Sequence, residues 1–308
     1  MRSVQAALAE ILGAFQVLSA EQVPLRAALG RTLAQAVQAE NDLPHFDNSA
    51  MDGFAVRSAD LQPVPRRLTV IGDVPAGVYP TFTVGEGQAA RIMTGGALPL
   101  GADTVIPIEA TDQERSTAEL PATVEVHVSR PAGSYVRRQG EDVQTGSTLL
   151  QAGHVLRPQD LGLLAGLGVA HVEVVRRPRV AVLSTGDELL PPDAPLVPGK
   201  IRDMNSYTLP AMIEMLGAEA LFLGVAHDTP EAVHALLDQS VEQCADLIVS
   251  SAGVSVGARD VVKQVLAELG ALDFWKVNMR PGKPLAFGHV RGVPYWRAGQ
   301  PCLGAGYL

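Results

Sequence analysis

Apolar residues open the chain at helical spacing: Val4, Leu8, Ile11, Leu12 and Phe15 line one face of a helix expected over residues 4–18. A second helical stretch is expected over residues 25–38. Short β-prone runs follow between Gly and Pro, among them Leu68 to Ile71, Thr104 to Pro107 and Thr123 to Val128. That texture predicts a helical support carrying a small β-rich module. It changes after Pro178. Arg179 to Leu183 reads as a buried strand, 207–216 as a helix, 220–226 as a second strand and 230–243 as a helix. A third strand over 246–249 precedes a helix over 258–269. Strands alternating with helices of this length predict an α/β fold with a doubly wound parallel sheet. The chain is therefore expected to divide into an irregular α+β part, 1–177, and an α/β part, 178–308.

Composition narrows what such a chain does. Hydrophobic residues make up 47% of the 308 and charged residues 19%, which suits two or three packed domains and excludes global disorder. A net charge of −9 leaves no basic stripe to neutralise phosphates, so nucleic acid is not an expected partner. Cys244 and Cys302 lie far apart and outside any CxxC pattern; they fit a reducing compartment and frame no zinc or Fe–S site. Glu10 and Gln16 interrupt the first apolar run, as suits a packed helix and not a signal peptide. No apolar run reaches the ~18 uninterrupted residues of a membrane span. The expected location is the cytoplasm.

Ligands of a doubly wound sheet bind outside the carboxyl ends of its strands. Three predicted loops there are chemically loaded: STGDEL (184–189), AHDTP (226–230) and SSAGVSVGARD (250–260). They deliver Asp187, Glu188, Asp228 and Asp260 to one rim. In SSAGVSVGARD the small residues Ser250, Ser251, Gly253, Ser255 and Gly257 let backbone N–H groups approach an anion at a helix start. A tight βα turn without a ligand is the alternative reading of the same string. It is neither a GxGxxG nor a GxxxxGK[ST] loop, which counts against a nicotinamide enzyme or a Walker NTPase. STGDEL sets Thr185 and Gly186 at a sharp turn before two carboxylates, which either hold Mg²⁺ beside a phosphate or cap a helix. Asp228, before Thr229-Pro230, and Asp203 and Asn205 in IRDMNS carry the same two readings. WKVNMRPGKPLAFG (275–288) places Lys276, Arg280 and Lys283 in an extended segment, either as an anion clamp or as a charged edge strand. In the first half, FDNSAMDGFAV (46–56), RIMTGGALP (91–99) and RRQGEDV (137–143) are polar strings set among apolar residues.

Together these strings resemble the molybdopterin molybdenumtransferase family, the MoeA-type proteins and the gephyrin E domain. FDNSAMDGFAV, RIMTGGALP, GEDV, STGDEL, SVGxxD and PGKPLAFG stand in the family's order from the first helix to about Trp296. The resemblance implies an elongated homodimer with its active cleft between subunits. It implies Mg²⁺-dependent insertion of molybdate into adenylylated molybdopterin, with release of AMP, and contact with the molybdopterin adenylyltransferase. The matching positions implied to be catalytic are Asp52, Asp142, Glu188, Asp228, Asp260, Lys276 and Arg280. Those implied at the metal are Glu188, Asp228 and Asp260. Thr185, Gly186, the SSAGVSVG residues and Lys283 would hold the cofactor. Two positions depart from the family pattern: Ala252 replaces a glycine, and Arg280 stands where lysine is common. The adenylyltransferase itself would need only the second half of the chain. A non-enzymatic scaffold, or a truncated inactive form, is the remaining alternative.

The resemblance stops at Arg297. The family continues with a GLPGNPVSA-type segment, whereas this chain reads RAGQPCLGAGYL. Codons permitted by residues 299–307, read one base later, give Gly-Asn-Pro-Val-Ser-Ala-Leu-Val. The expectation is a frameshift at about Arg297. It would remove the last elements of the α/β part and the family's carboxyl-terminal β domain, leaving a poorly soluble or inactive chain.

Overall fold

A computed structural model describes residues 3–114, 119–251, 261–269, 272–274, 277–278 and 285–297. It divides into two compact units, one of residues 23–172 and one of residues 1–22 with 173–308. Its α-helices are α1 (Val4–Gly13), α2 (Pro158–Gly166), α3 (Asn205–Met215), α4 (Pro230–Glu242) and α5 (Val261–Glu268). Among the described residues no helix is long and apolar enough to cross a membrane.

The unit of residues 23–172 is built on a five-stranded sheet. Its strands are β1 (Gly53–Val56), β2 (Arg66–Val74), β3 (Gln88–Ile92), β4 (Thr104–Pro107) and β5 (Thr123–Val126), in spatial order β4-β1-β3-β2-β5. All four residues of β1 are buried because both faces of the sheet are covered. Phe54 and Val56 pack with Leu68, Ile106 and Val124 on one side; Ala55 packs with Val74, Ile92 and Val105 on the other. Gly53 has no alternative: a Cβ there would lie 2.0 Å from the Ile106 carbonyl oxygen.

Residues 25–38 correct the helical expectation. Only Leu25–Ala27 makes a 3₁₀ turn, and the chain then passes through a turn at 29–30 and bends at 34–35 before a short strand at Val37–Gln38. Gly30 takes φ +72°, and the peptide groups that follow bond outside the segment. Gly30 and Leu33 donate to Leu156 and His154, while Leu156 and Gly153 donate back to Arg31 and Leu33. A non-local ladder outcompetes the Ala-rich helix propensity.

The other unit carries a six-stranded sheet: β6 (Arg179–Thr185), β7 (Glu219–Ala226), β8 (Leu247–Ser250), β9 (Leu272–Phe274), β10 (Ala286–Val290) and β11 (Val293–Arg297). The order is β7-β6-β8-β11-β10-β9. The α/β class is as the alternation implied, but the sheet is mixed. β7, β6, β8 and β11 are mutually parallel, whereas β10 pairs antiparallel with both β11 and β9 and so is the one reversed strand of the six. The reversal lies at Arg291-Gly292, whose φ values of +48° and +86° belong to the tight two-residue hairpin turn. Helices cover both faces. Val180, Val182 and Val249 pack under Leu209 and Ile213 of α3; Ala181, Leu183 and Ile248 pack under Val233 and Leu237 of α4 and Val265 of α5. α1 belongs to this unit as well, since Ala7 and Ile11 pack with Val277 and Phe287.

Candidate functional site

The carboxyl ends of β6, β7 and β8 form a rim, and the loops after β6 and β7 meet at it. Thr185 closes β6 and is buried, and Gly186 then turns with φ +148°. That turn is tight. A Cβ on Gly186 would lie 2.6 Å from the Glu188 carboxylate, so glycine is what lets Glu188 fold back over the strand end. No helix begins at Asp187 or Glu188; the chain continues into Leu189–Leu190, beside Ile201–Arg202. The capping alternative for these two acids is thereby removed.

Asp187 ties neighbouring loops together. Its carboxylate meets His227 Nδ1 at 2.8 Å, its N–H donates to Asp228 at 3.4 Å, and its carbonyl accepts from Lys200 Nζ at 2.5 Å. The bond from His227 holds the Asp187 carboxyl below its ordinary range. Asp228 does not cap α4 either. Thr229 is the N-cap and accepts from Ala232 N–H at 3.3 Å, with Pro230 in the first turn. Asp203 is the acid that does cap, accepting the Ser206 N–H at 3.1 Å at the start of α3.

A buried hydroxyl network locks the strand ends. Ser184 Oγ lies 3.0 Å from Ser206 Oγ and 2.7 Å from Ser251 Oγ, and Ser250 Oγ bonds the Tyr295 hydroxyl. Ser250 and Ser251, expected at the cofactor, have their side chains committed to the fold. Gly253, Ser255, Gly257, Asp260, Lys276, Arg280 and Lys283 lie outside the described residues, as does the segment after Arg297 on which the frameshift rests. Among the described residues no group of three or more acids, His or Cys is placed to hold a metal ion. Of the expected metal ligands, Glu188 and Asp228 are described and stand in the loops just beyond the ends of the adjacent strands β6 and β7.

The unit of residues 23–172 gathers its own acids around a two-residue ladder, Asn48–Ser49 against Val136–Arg137. Asp52 leaves one strand of it and accepts from both the N–H and the hydroxyl of Thr94 at 2.7 Å. Asp142 leaves the other and pairs with Arg137 at 2.7 Å. Asp47 takes Arg138 at 2.6 Å and the Gln139 N–H at 2.8 Å. Burial pushes the Asp47 carboxyl up, but those bonds bring it below its ordinary range. Asp42 is lowered too, first by the Thr145 N–H and then by the Thr145 hydroxyl. Thr94 went unassigned in the sequence although its MTGG turn stood out; a hydroxyl beside that turn was the available signal.

Comparison with known proteins decides what these loops belong to. Residues 2–168 match the MoeA N-terminal region, domains I and II, and residues 181–299 match a probable molybdopterin binding domain. The chain belongs to the MoeA family. A Nostoc relative named molybdopterin molybdenumtransferase is 45% identical over 272 residues, covering 86% of this chain and 60% of the relative. A Mycobacterium tuberculosis relative, molybdopterin molybdenumtransferase 2, is 40% identical over 307 residues, covering 96% and 73%. The chain thus spans less than two thirds of the Nostoc protein's length. A crystal structure of a MoeA molybdopterin biosynthesis protein from Pyrococcus horikoshii superposes with a TM-score of 0.82 at 35% identity, over 96% of this chain and 74% of that one. In the MoeA family frame, the Asp52 and Asp142 loops fall within the N-terminal match and the Glu188 and Asp228 loops within the molybdopterin-binding match.

Proposed function

We propose that this chain serves molybdenum cofactor biosynthesis by inserting molybdate into adenylylated molybdopterin with release of AMP. The observation that supports this most is that, among the described residues, the carboxylates of Glu188 and Asp228 together receive a single long hydrogen bond. They stand at adjacent strand ends, and neither caps a helix. Oxygen donors of this kind suit Mg²⁺, which keeps part of its shell for substrate phosphates. Once bound, the ion would polarise the phosphoanhydride.

The chain's own residues do the rest. Gly186 and the Asp187–His227 bond aim Glu188 and Asp228 at the rim, and the hydroxyl network fixes the strand ends from which they project. Thr94 holds Asp52 in one orientation, and Arg137 does the same for Asp142. Asp260, Lys276 and Arg280 would complete the acid and cation set, and Lys283 the anion contacts. The working form is a homodimer that receives its substrate from a molybdopterin adenylyltransferase.

The test is molybdate-dependent AMP release from adenylylated molybdopterin. It is measured on this chain and on a version extended at its carboxyl end to its relatives' full length. Release by the extended protein, lost in Glu188→Gln, is the expected result. No release from it overturns the reading in favour of a scaffold. Mixing Asp52→Asn and Glu188→Gln chains should regain activity, and a strictly monomeric protein would count against the dimer.

A further inference from the structure

A pocket of about 340 Å³ opens beside the edge strand β7, walled by Leu190, Tyr207, Phe222 and Val225. Asp203 and Ser206 line it too, only 7% and 8% exposed. One Asp203 carboxylate oxygen accepts the Ser206 N–H at 3.1 Å, and among the described residues nothing else bonds that carboxyl. Ser206 Oγ is within reach of Ser184 Oγ at 3.0 Å, which also meets Ser251. A carboxylate offers about four lone-pair sites, so most of this one's capacity is unfilled between apolar walls. Because Asp203 lines the pocket, a ligand seated there can supply the missing donors.

We propose that this pocket is the subsite for the pterin ring of the substrate, with Asp203 accepting from the ring N–H and the neighbouring exocyclic amino group. The proposal rests on the function reading above and assigns one part of that substrate to named residues. A flat bicyclic ring suits a pocket of this volume with Tyr207 and Phe222 in its walls. The hydrogen-bonding edge selects the ring. A 2-amino-4-oxo pterin presents two donors side by side, which a carboxylate accepts together. Adenine places a ring nitrogen acceptor beside its amino group, and that lone pair would face the carboxylate. Leu189 also lines the pocket and directly follows Glu188, so one loop serves the ring at one end and the phosphates at the other.

The experiment titrates this chain with 6-hydroxymethylpterin, read by quenching of the pterin's own fluorescence, with adenosine and AMP as competitors. Asp203→Asn keeps an oxygen for the Ser206 N–H and removes the charge, so α3 keeps its cap. Its pterin dissociation constant should rise about tenfold or more. Phe222→Ser, at a half-exposed wall position, should weaken pterin similarly and serves if Asp203→Asn does not fold. Neither adenosine nor AMP should displace the pterin. Absence of pterin binding, displacement by adenosine, or equal affinity in both variants overturns the proposal. The two readings fail separately. Asp203-dependent pterin binding without AMP release by the extended protein removes the function and keeps the pocket. AMP release with an unchanged KM in Asp203→Asn removes the pocket and keeps the function.

Discussion

The acids of the two units are held in opposite ways. In residues 23–172 every acid at the ladder is bonded: Asp52 to Thr94, Asp142 to Arg137, Asp47 to Arg138, Asp42 to Thr145. At the rim Asp187 is bonded to His227, but no described residue bonds the Glu188 carboxylate, and Asp228 receives one long bond from Asp187. Satisfied carboxylates are positioned before anything arrives, whereas under-satisfied ones are completed by what arrives. Removing an acid of the first kind disturbs orientation and stability together. Removing one of the second kind leaves the fold and takes the chemistry.

The sharpest break in that comparison is Glu188→Gln. In the extended protein kcat should fall about 100-fold or more, with a melting temperature within about 2 °C of wild type. A large loss of stability in that variant would show that the rim acids are structural. Gly53→Ala comes next and touches only the other unit. Its Cβ would enter the Ile106 carbonyl, so unfolding in denaturant should register a loss of about 3 kcal/mol.

Asp160 sharpens the contrast through pH. The Arg157 guanidinium, then His154, hold its carboxyl far below the ordinary carboxylate range. A depressed carboxylate contributes stability above its unfolded pKa and loses it as pH falls towards the folded one. Wild type should therefore weaken progressively below about pH 4. Asp160→Asn should lower the melting temperature at neutral pH by about 5 °C and flatten that acid slope, read by thermal melts from pH 7 to 3. An unchanged slope would move the acid sensitivity elsewhere. The smallest effect belongs to Thr229→Ala, which removes the α4 cap and should cost about 1 kcal/mol. If Asp228 took over the cap, activity would fall beyond what the stability loss explains.

Much of the α/β unit was legible because its signals are local. Residues 180–183, VAVL, are apolar throughout since both sheet faces are covered, and Thr229-Pro230 marks the start of α4. The sheet's direction was not legible in that way. It turns on the conformation of Arg291-Gly292, two residues whose positive φ values set β10 antiparallel. The missed region, residues 25–38, failed for a related reason: its bonding partners lie at 153–156, far along the chain. The acids proposed for the site stand in motifs that the sequence displays. Their partners were not legible there, because the Asp52–Thr94 and Asp187–His227 contacts join loops some forty residues apart. Whether an acid near Pro caps or binds depends on the neighbour that caps instead, and Thr229 is visible as that neighbour only in three dimensions.

The packing of α1 sets an order of events on the ribosome. Ala7 and Ile11 meet Val277 and Phe287, which leave the ribosome long after the helix does, while Val4, Leu8 and Leu12 stay exposed. Between Ala14 and Val277 lie about 260 residues, which at 5–20 residues per second take roughly 15 to 50 seconds to make. During that interval the whole of residues 23–172 is available to fold, while Ala7 and Ile11 wait without their partners. This early helix is thus among the last segments to find its place, and a chaperone that holds nascent helices would have a long opportunity there.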